Sequence, residues 1–258
     1  MDTLYLTTEK PPDAKPPVPW GVAEALAMYV AFWVAQLVMG AGVGIWYGIA
    51  HHSGPDVPLM PPGWALTSSS ALGQVAVLIL IWAMIRISYG LPFTNGIRWE
   101  GSKRGIKTAL LAGLALPVIN SVSTLIFAPP DPAEIPLIKM ISTPLDLAVF
   151  SVFAIAVAPL VEELLFRGWM YPAFEKKMGP VAAVVVTTLL FAAPHIFQLG
   201  SYAFGVVLIG FLGIATGILR ARTGGVAAPF VCHLLYNVIL VLMEVAGRVS
   251  GHGPGGMP

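Results

Sequence analysis

Charge is what this sequence has least of. Fourteen Lys or Arg and thirteen Asp or Glu among 258 residues make 10% charged, where a soluble chain carries about 25%. So few charges cannot coat a water-facing particle, which excludes an ordinary soluble domain. A net charge of +1 leaves no basic field, so nucleic acid is not expected as a partner. The single cysteine, Cys232, lies in an apolar run and excludes an intrachain disulfide or a thiolate metal cluster. Residues 1–19 are polar and proline-rich without an apolar h-region, so no cleavable signal peptide is expected.

What the sequence does have is apolar length. Residues are 57% hydrophobic and mean hydropathy is +0.80. About 20 consecutive apolar residues span a hydrocarbon core of about 30 Å as a helix. Seven runs meet that measure: 20–49, 65–87, 109–127, 145–171, 180–197, 202–219 and 226–249. Strand alternation is absent, which argues against a barrel. The expected fold is an all-α, polytopic transmembrane helical bundle. Gly40, Gly42, Gly44 and Gly48 are expected to bend the first run or pack it closely, and Gly205, Gly210, Gly213 and Gly217 to be close-packing positions in the sixth. The proline-rich stretch 129–143 reads as a loop with a short interfacial helix.

Positive loops stay cytoplasmic. Arg86, Arg98, Lys103, Arg104 and Lys107 follow the second run, Arg167, Lys176 and Lys177 end the fourth, and Arg220 and Arg222 follow the sixth. Alternate connections hold Lys139 alone. With Lys10 and Lys15 ahead of the first run, a cytoplasmic N-terminus is expected and, for seven spans, an external C-terminus.

Ionisable side chains at membrane depth are costly and are functional candidates by default. They fall in Glu162-Glu163-Leu164-Leu165-Phe166-Arg167, in Phe191-Ala192-Ala193-Pro194-His195, and in His233-Leu234-Leu235-Tyr236-Asn237, with Glu24 and Glu244 nearer span ends. Thr143-Pro144-Leu145-Asp146 reads as an N-cap, a proline at the first helical position and a carboxylate completing a capping box. Along the helix begun there, Glu163 and Arg167 share a face and can pair. Glu162, turned by about 100°, needs another partner. Counting from the hairpin tip at Met178-Gly179-Pro180, Glu162 lies 16 residues before Met178 and His195 lies 16 after Gly179. On antiparallel helices they are level. His233 reaches a similar depth if that hairpin projects about seven residues, or ~10 Å, beyond the bilayer, and Asn237 follows it on the same face.

A carboxylate and an imidazole aimed at one water can deprotonate it for attack on a carbonyl. The roles that follow are Glu162 as general base, His195 as its partner, His233 and Asn237 on the oxyanion side, and Glu163 with Arg167 as an orienting ion pair. Each element also has a structural reading. The ion pair can be glue, His195 can satisfy a carbonyl freed by Pro194, and His233 or Asn237 can be an interhelical hydrogen bond. His51 and His52, with Asp56, read as a solvated loop.

In order and identity, Glu162-Glu163-x-x-x-Arg167, Phe191-x-x-x-His195 and His233-x-x-x-Asn237 resemble the three motifs of the CAAX protease and bacteriocin-processing family, which includes the type II prenyl-protein endopeptidases. The likeness spans residues 145–249. It implies an intramembrane glutamic-type endopeptidase, usually of eight helices, acting without a cofactor on a membrane-anchored protein or peptide in the bilayer, with Glu162, Glu163, Arg167, His195, His233 and Asn237 as its catalytic set. The organisation implied is a tail at 1–19, N-terminal membrane helices at 20–143, a catalytic core at 144–249 and a Gly/Pro-rich tail at 250–258. The expected location is the plasma membrane of a bacterium, as a multi-pass protein. Two alternatives stay open: a zinc metalloprotease with Glu162, His195 and His233 as ligands, and a non-catalytic scaffold or bacteriocin-immunity protein. A transporter is disfavoured by the lack of an inverted repeat.

Overall fold

The computed structural model of the chain describes residues 16–51, 60–127, 131 and 134–250. His52, Asp56, Lys10, Lys15 and the tail from 251 onward lie outside them. Every element among the described residues is helical.

The N-terminal half supplies three long helices, α1 (Val22–Ala50), α2 (Gly63–Ala83, running on as a π-helical turn Met84–Ser88) and α4 (Lys103–Ile126). Between α2 and α4 lies the one-turn α3 (Phe93–Gly96), and α5 (Pro136–Met140) is the short helix expected in the proline-rich loop. Glu24 is a cap: its Oε2 accepts the Gly21 N–H at 3.0 Å, satisfying a donor at the start of α1. Glu244 pairs with Arg248 one turn on, at 2.7 Å.

The fourth span is composite. It runs as α6 (Pro144–Val152), a π-helical segment Phe153–Val157, α7 (Ala158–Glu163), a second π-helical segment Leu164–Met170, and α8 (Tyr171–Ala192). After a turn at Ala193 and Pro194 come α9 (His195–Leu199), α10 (Ala203–Thr223) and α11 (Ala227–Val249).

Six helical runs are long and apolar enough to cross a membrane, and the chain is a multi-pass integral membrane protein. One of them, Pro144–Leu199, is 56 residues long, about 84 Å if straight and far more than one crossing needs. At Gly179 the backbone leaves the helical region (φ 82°, ψ 168°). Positive φ is cheap only for glycine, so the turn sits there and divides the run into two limbs. Counted so, the crossings are the seven read from the sequence.

Two local devices place the site. The first is Asp146, which caps two helices at once. Thr143 Oγ1 accepts the Asp146 N–H at 3.1 Å, and Asp146 Oδ2 accepts the Thr143 N–H at 2.9 Å, the capping box expected for α6. Its Oδ1 accepts the Trp64 N–H at 2.7 Å, at the start of α2. Thus α2 and α6 begin side by side and run in the same direction. Gly63 makes the approach possible, since a Cβ there would collide with the Met140 carbonyl.

The second device is the latching of the π-helical segments by side chains from elsewhere. Arg220 Nε donates to the Arg167 carbonyl at 2.9 Å, and Trp20 Nε1 donates to the Trp169 carbonyl at 2.8 Å while its ring stacks on Trp169 at 4.3 Å. Asn237 Nδ2 donates to the Ala154 carbonyl at 2.8 Å. Irregular turns need such partners at membrane depth, where water is absent.

Close glycine packing is corrected at Gly40, Gly42, Gly44, Gly48 and Gly210. A Cβ at Gly40, Gly42, Gly44 or Gly48 meets nothing within 4 Å, so these residues do not mediate close packing within the described chain. In α10, a Cβ at Gly213 would come within 2.9 Å of Thr188 and one at Gly217 within 2.9 Å of Val184, both on α8, whereas Gly210 faces open space. The first two are contact positions; Gly210 is not.

Candidate active site

Glu163 lies at the end of α7, and Arg167 lies in the π-helical segment that follows. Both side chains are fully buried, at 0% exposure, and Arg167 Nη1 donates to Glu163 Oε1 at 3.0 Å. The guanidinium's other arm, Nη2, donates to the Gly213 carbonyl on α10 at 2.9 Å, and its flat face lies 4.7 Å from the centre of the Phe191 ring. A planar fork with several donors suits this double attachment; an ammonium would make only part of it.

His233, on α11, brings the two adjacent carboxylates into one network. Its Nδ1 lies 2.9 Å from Glu163 Oε1, and its Nε2 lies 3.9 Å from Glu162 Oε2. Glu163, paired with a guanidinium, is an acceptor, so Nδ1 carries the hydrogen and the lone pair of neutral His233 is on Nε2, facing Glu162. Arg167, Glu163 and His233 thus form a continuous hydrogen-bonded chain, and Glu162 lies just beyond its end. His233 is 3% exposed, while Glu162 is 13% exposed and is the more open end.

His195 starts α9. Its Nδ1 lies 3.1 Å from the Phe191 carbonyl, which only accepts, so in the neutral ring the lone pair is on Nε2. The Phe191 ring stands between the imidazoles, 5.4 Å from His195 and 5.6 Å from His233 by ring centres. Asn237, one turn beyond His233, spends one amide hydrogen on the Ala154 carbonyl and has a second.

Three residues at or around the site were not picked out as candidates from sequence. Gln74, on α2, donates from Nε2 to Glu162 Oε1 at 3.5 Å. A neutral amide is not among the ionisable groups that stand out at membrane depth; a lone glutamine inside an apolar run is the signal the sequence carries. Arg220 was counted only as an orienting loop charge, yet it is buried against Tyr171, its guanidinium carbon 4.9 Å from the ring centre. Trp20, at the margin of the first span, gave no signal at all.

Among the described residues, no three His, Cys, Asp or Glu side chains converge closely enough to hold a metal ion. Glu162, His195 and His233 do not form such a group in this arrangement.

Residues 144–239 match the family model for Type II CAAX prenyl endopeptidase Rce1-like proteins. No curated protein and no solved structure matches the chain. The matched segment starts at the proline behind the Thr143 cap and ends just past Asn237, so the part of the chain that is similar to this family contains both carboxylates, the guanidinium, both imidazoles and the amide.

Proposed function

We propose that the protein is an intramembrane endopeptidase that hydrolyses a peptide bond in a membrane-associated protein or peptide with a Glu162-activated water. The observation that carries this is the buried hydrogen-bonded chain from Arg167 through Glu163 to His233, with Glu162 3.9 Å beyond its end. Each of these groups is expensive at membrane depth. An ion pair serving only as glue would be complete with Glu163 and Arg167, and would not need a second carboxylate across an imidazole.

In the first step Glu162 takes a proton from water, and the water oxygen bonds to the substrate carbonyl carbon as the carbonyl π electrons move to oxygen. In the second step that oxyanion collapses, the C–N bond breaks, and the proton held at Glu162 passes to the leaving amine. His233 is the imidazole coupled to the base, because its Nε2 faces Glu162 while its Nδ1 is fixed by Glu163. A fixed tautomer aimed at a reacting group is the usual service of a carboxylate behind a histidine. The oxyanion falls to a group with a hydrogen to give, the second amide hydrogen of Asn237. The match to an endopeptidase family through these same residues supports the reaction class.

The test is turnover of a lipid-anchored fluorogenic peptide by purified protein in detergent or nanodiscs. Glu162→Ala should remove cleavage, and thorough chelation should not. Wild-type turnover by Glu162→Ala overturns the mechanism; loss on chelation restored by Zn²⁺ would transfer it to a metalloprotease. Mass spectrometry of new C-termini in membranes from cells carrying wild type or Glu162→Ala identifies the substrate.

A further inference from the structure

The matched family segment leaves α2 outside, yet α2 contributes a side chain that touches the proposed base. Gln74 is 4% exposed. Its Nε2 donates to Glu162 Oε1 at 3.5 Å, a long contact, and its Oε1 is fully buried without a partner. An unpaired buried acceptor is costly, and such atoms in folded proteins call for a partner such as an ordered water.

Ser68 and Ser69 of α2 do not share this position. Ser68 Oγ donates to the Trp64 carbonyl at 2.7 Å and Ser69 Oγ to the Leu66 carbonyl at 2.7 Å, so both serve their own helix. A glutamine amide is held away from its own backbone and needs an outside partner. Its position is also tightly set. Gly73, the preceding residue, lies so close to α1 that a Cβ there would come within 2.9 Å of Gln36 Nε2 and 3.3 Å of the Ala35 carbonyl. At the other end of the helix, the shared Asp146 cap fixes the height of α2 against the fourth span.

We infer that Gln74 is a catalytic residue of this site, whose Nε2 steadies Glu162 and whose Oε1 accepts a hydrogen from the water that Glu162 activates. The inference rests on the function proposed above. A water has two hydrogens. With one on Glu162 and the other on Gln74 Oε1, a lone pair is left aimed at the substrate carbonyl carbon. During attack the first hydrogen goes to Glu162 as a proton, and the second stays on the new hydroxyl, still bonded to Gln74. The amide itself gains and loses nothing. Specificity for water over a misdirected nucleophile then depends on a residue from outside the matched segment.

The experiment compares wild type, Gln74→Met, Gln74→Asn and Glu162→Ala in the peptide-cleavage assay, with thermal unfolding and binding of an uncleavable substrate analogue measured on each. Methionine keeps length and loses both polar functions; asparagine keeps the amide but falls one carbon short. Both should lose about 10- to 100-fold in kcat, the scale of a reactant misplaced by about 1 Å. KM, analogue binding and unfolding midpoint should stay near wild type. Wild-type kcat in either variant overturns the inference, as does a rise in KM at unchanged kcat, which would make Gln74 a substrate contact. Failure of both variants to fold would make it a packing residue and also overturn it. Cleavage by Glu162→Ala is a separate outcome, and sinks the underlying mechanism instead.

Discussion

Asn237→Ala separates two uses of one amide. One hydrogen is committed: Nδ2 donates to the Ala154 carbonyl at 2.8 Å in the first π-helical segment of the fourth span. Ala154 is buried, so truncation leaves a carbonyl without its donor, at a cost of about 1–3 kcal/mol of stability. The second hydrogen, assigned to the oxyanion, is worth more in the transition state. Removing one such donor costs about 10²- to 10³-fold in kcat, or about 2.7–4 kcal/mol. The two losses appear in different assays, an SDS titration of the folded protein in mixed micelles and initial rates with the fluorogenic peptide at saturation. Both losses are expected. A stability loss with less than a tenfold fall in kcat would show that Asn237 is a latch alone, and unchanged stability would refute the latch.

Other outcomes follow from the same contacts. His233→Ala and His195→Ala should each reduce cleavage by at least about 10²-fold while membrane insertion, read by protease protection, is retained. Arg167→Lys should not restore what Arg167→Ala loses, because the guanidinium bonds both Glu163 and the Gly213 carbonyl; breaking a buried pair costs about 3–5 kcal/mol, visible as lower folded yield by size-exclusion chromatography. Gly213→Val should lower yield and activity, since even a Cβ there meets Thr188 at 2.9 Å, whereas Gly44→Ala, which meets nothing within 4 Å, should leave both unchanged. A sensitive Gly44→Ala variant would point to a neighbour beyond this chain.

The parts legible in the sequence were those fixed by local rules. Apolar runs gave the crossings because bilayer thickness sets helix length. Thr143, Pro144 and Asp146 gave the start of α6 because capping is a matter of residue type at short spacing. Glu163 and Arg167 paired as four-residue spacing allows, and Gly179 ended the limb where a positive φ was needed. What the sequence did not reveal was reach. Nothing local tells that Asp146 also serves Trp64, or that Arg220 and Trp20 cross the bundle to carbonyls of Leu164–Met170. The π-helical turns have no pattern of their own, and the glycines of α1 looked like the packing glycines of α10. His233, assigned by depth alone to the oxyanion side, bridges the two carboxylates because of a rotation that residue counting cannot supply.

The shared cap also bears on how the chain is made. Asp146 follows Trp64 by 82 residues, about 4–16 s of synthesis at roughly 5–20 residues per second. During that interval the start of α2 lacks the acceptor it has in the finished protein. The second crossing therefore enters the bilayer before its height is set, and the arriving fourth crossing sets it. The half that carries the candidate site, made later, thus brings the acceptor that the earlier half lacks.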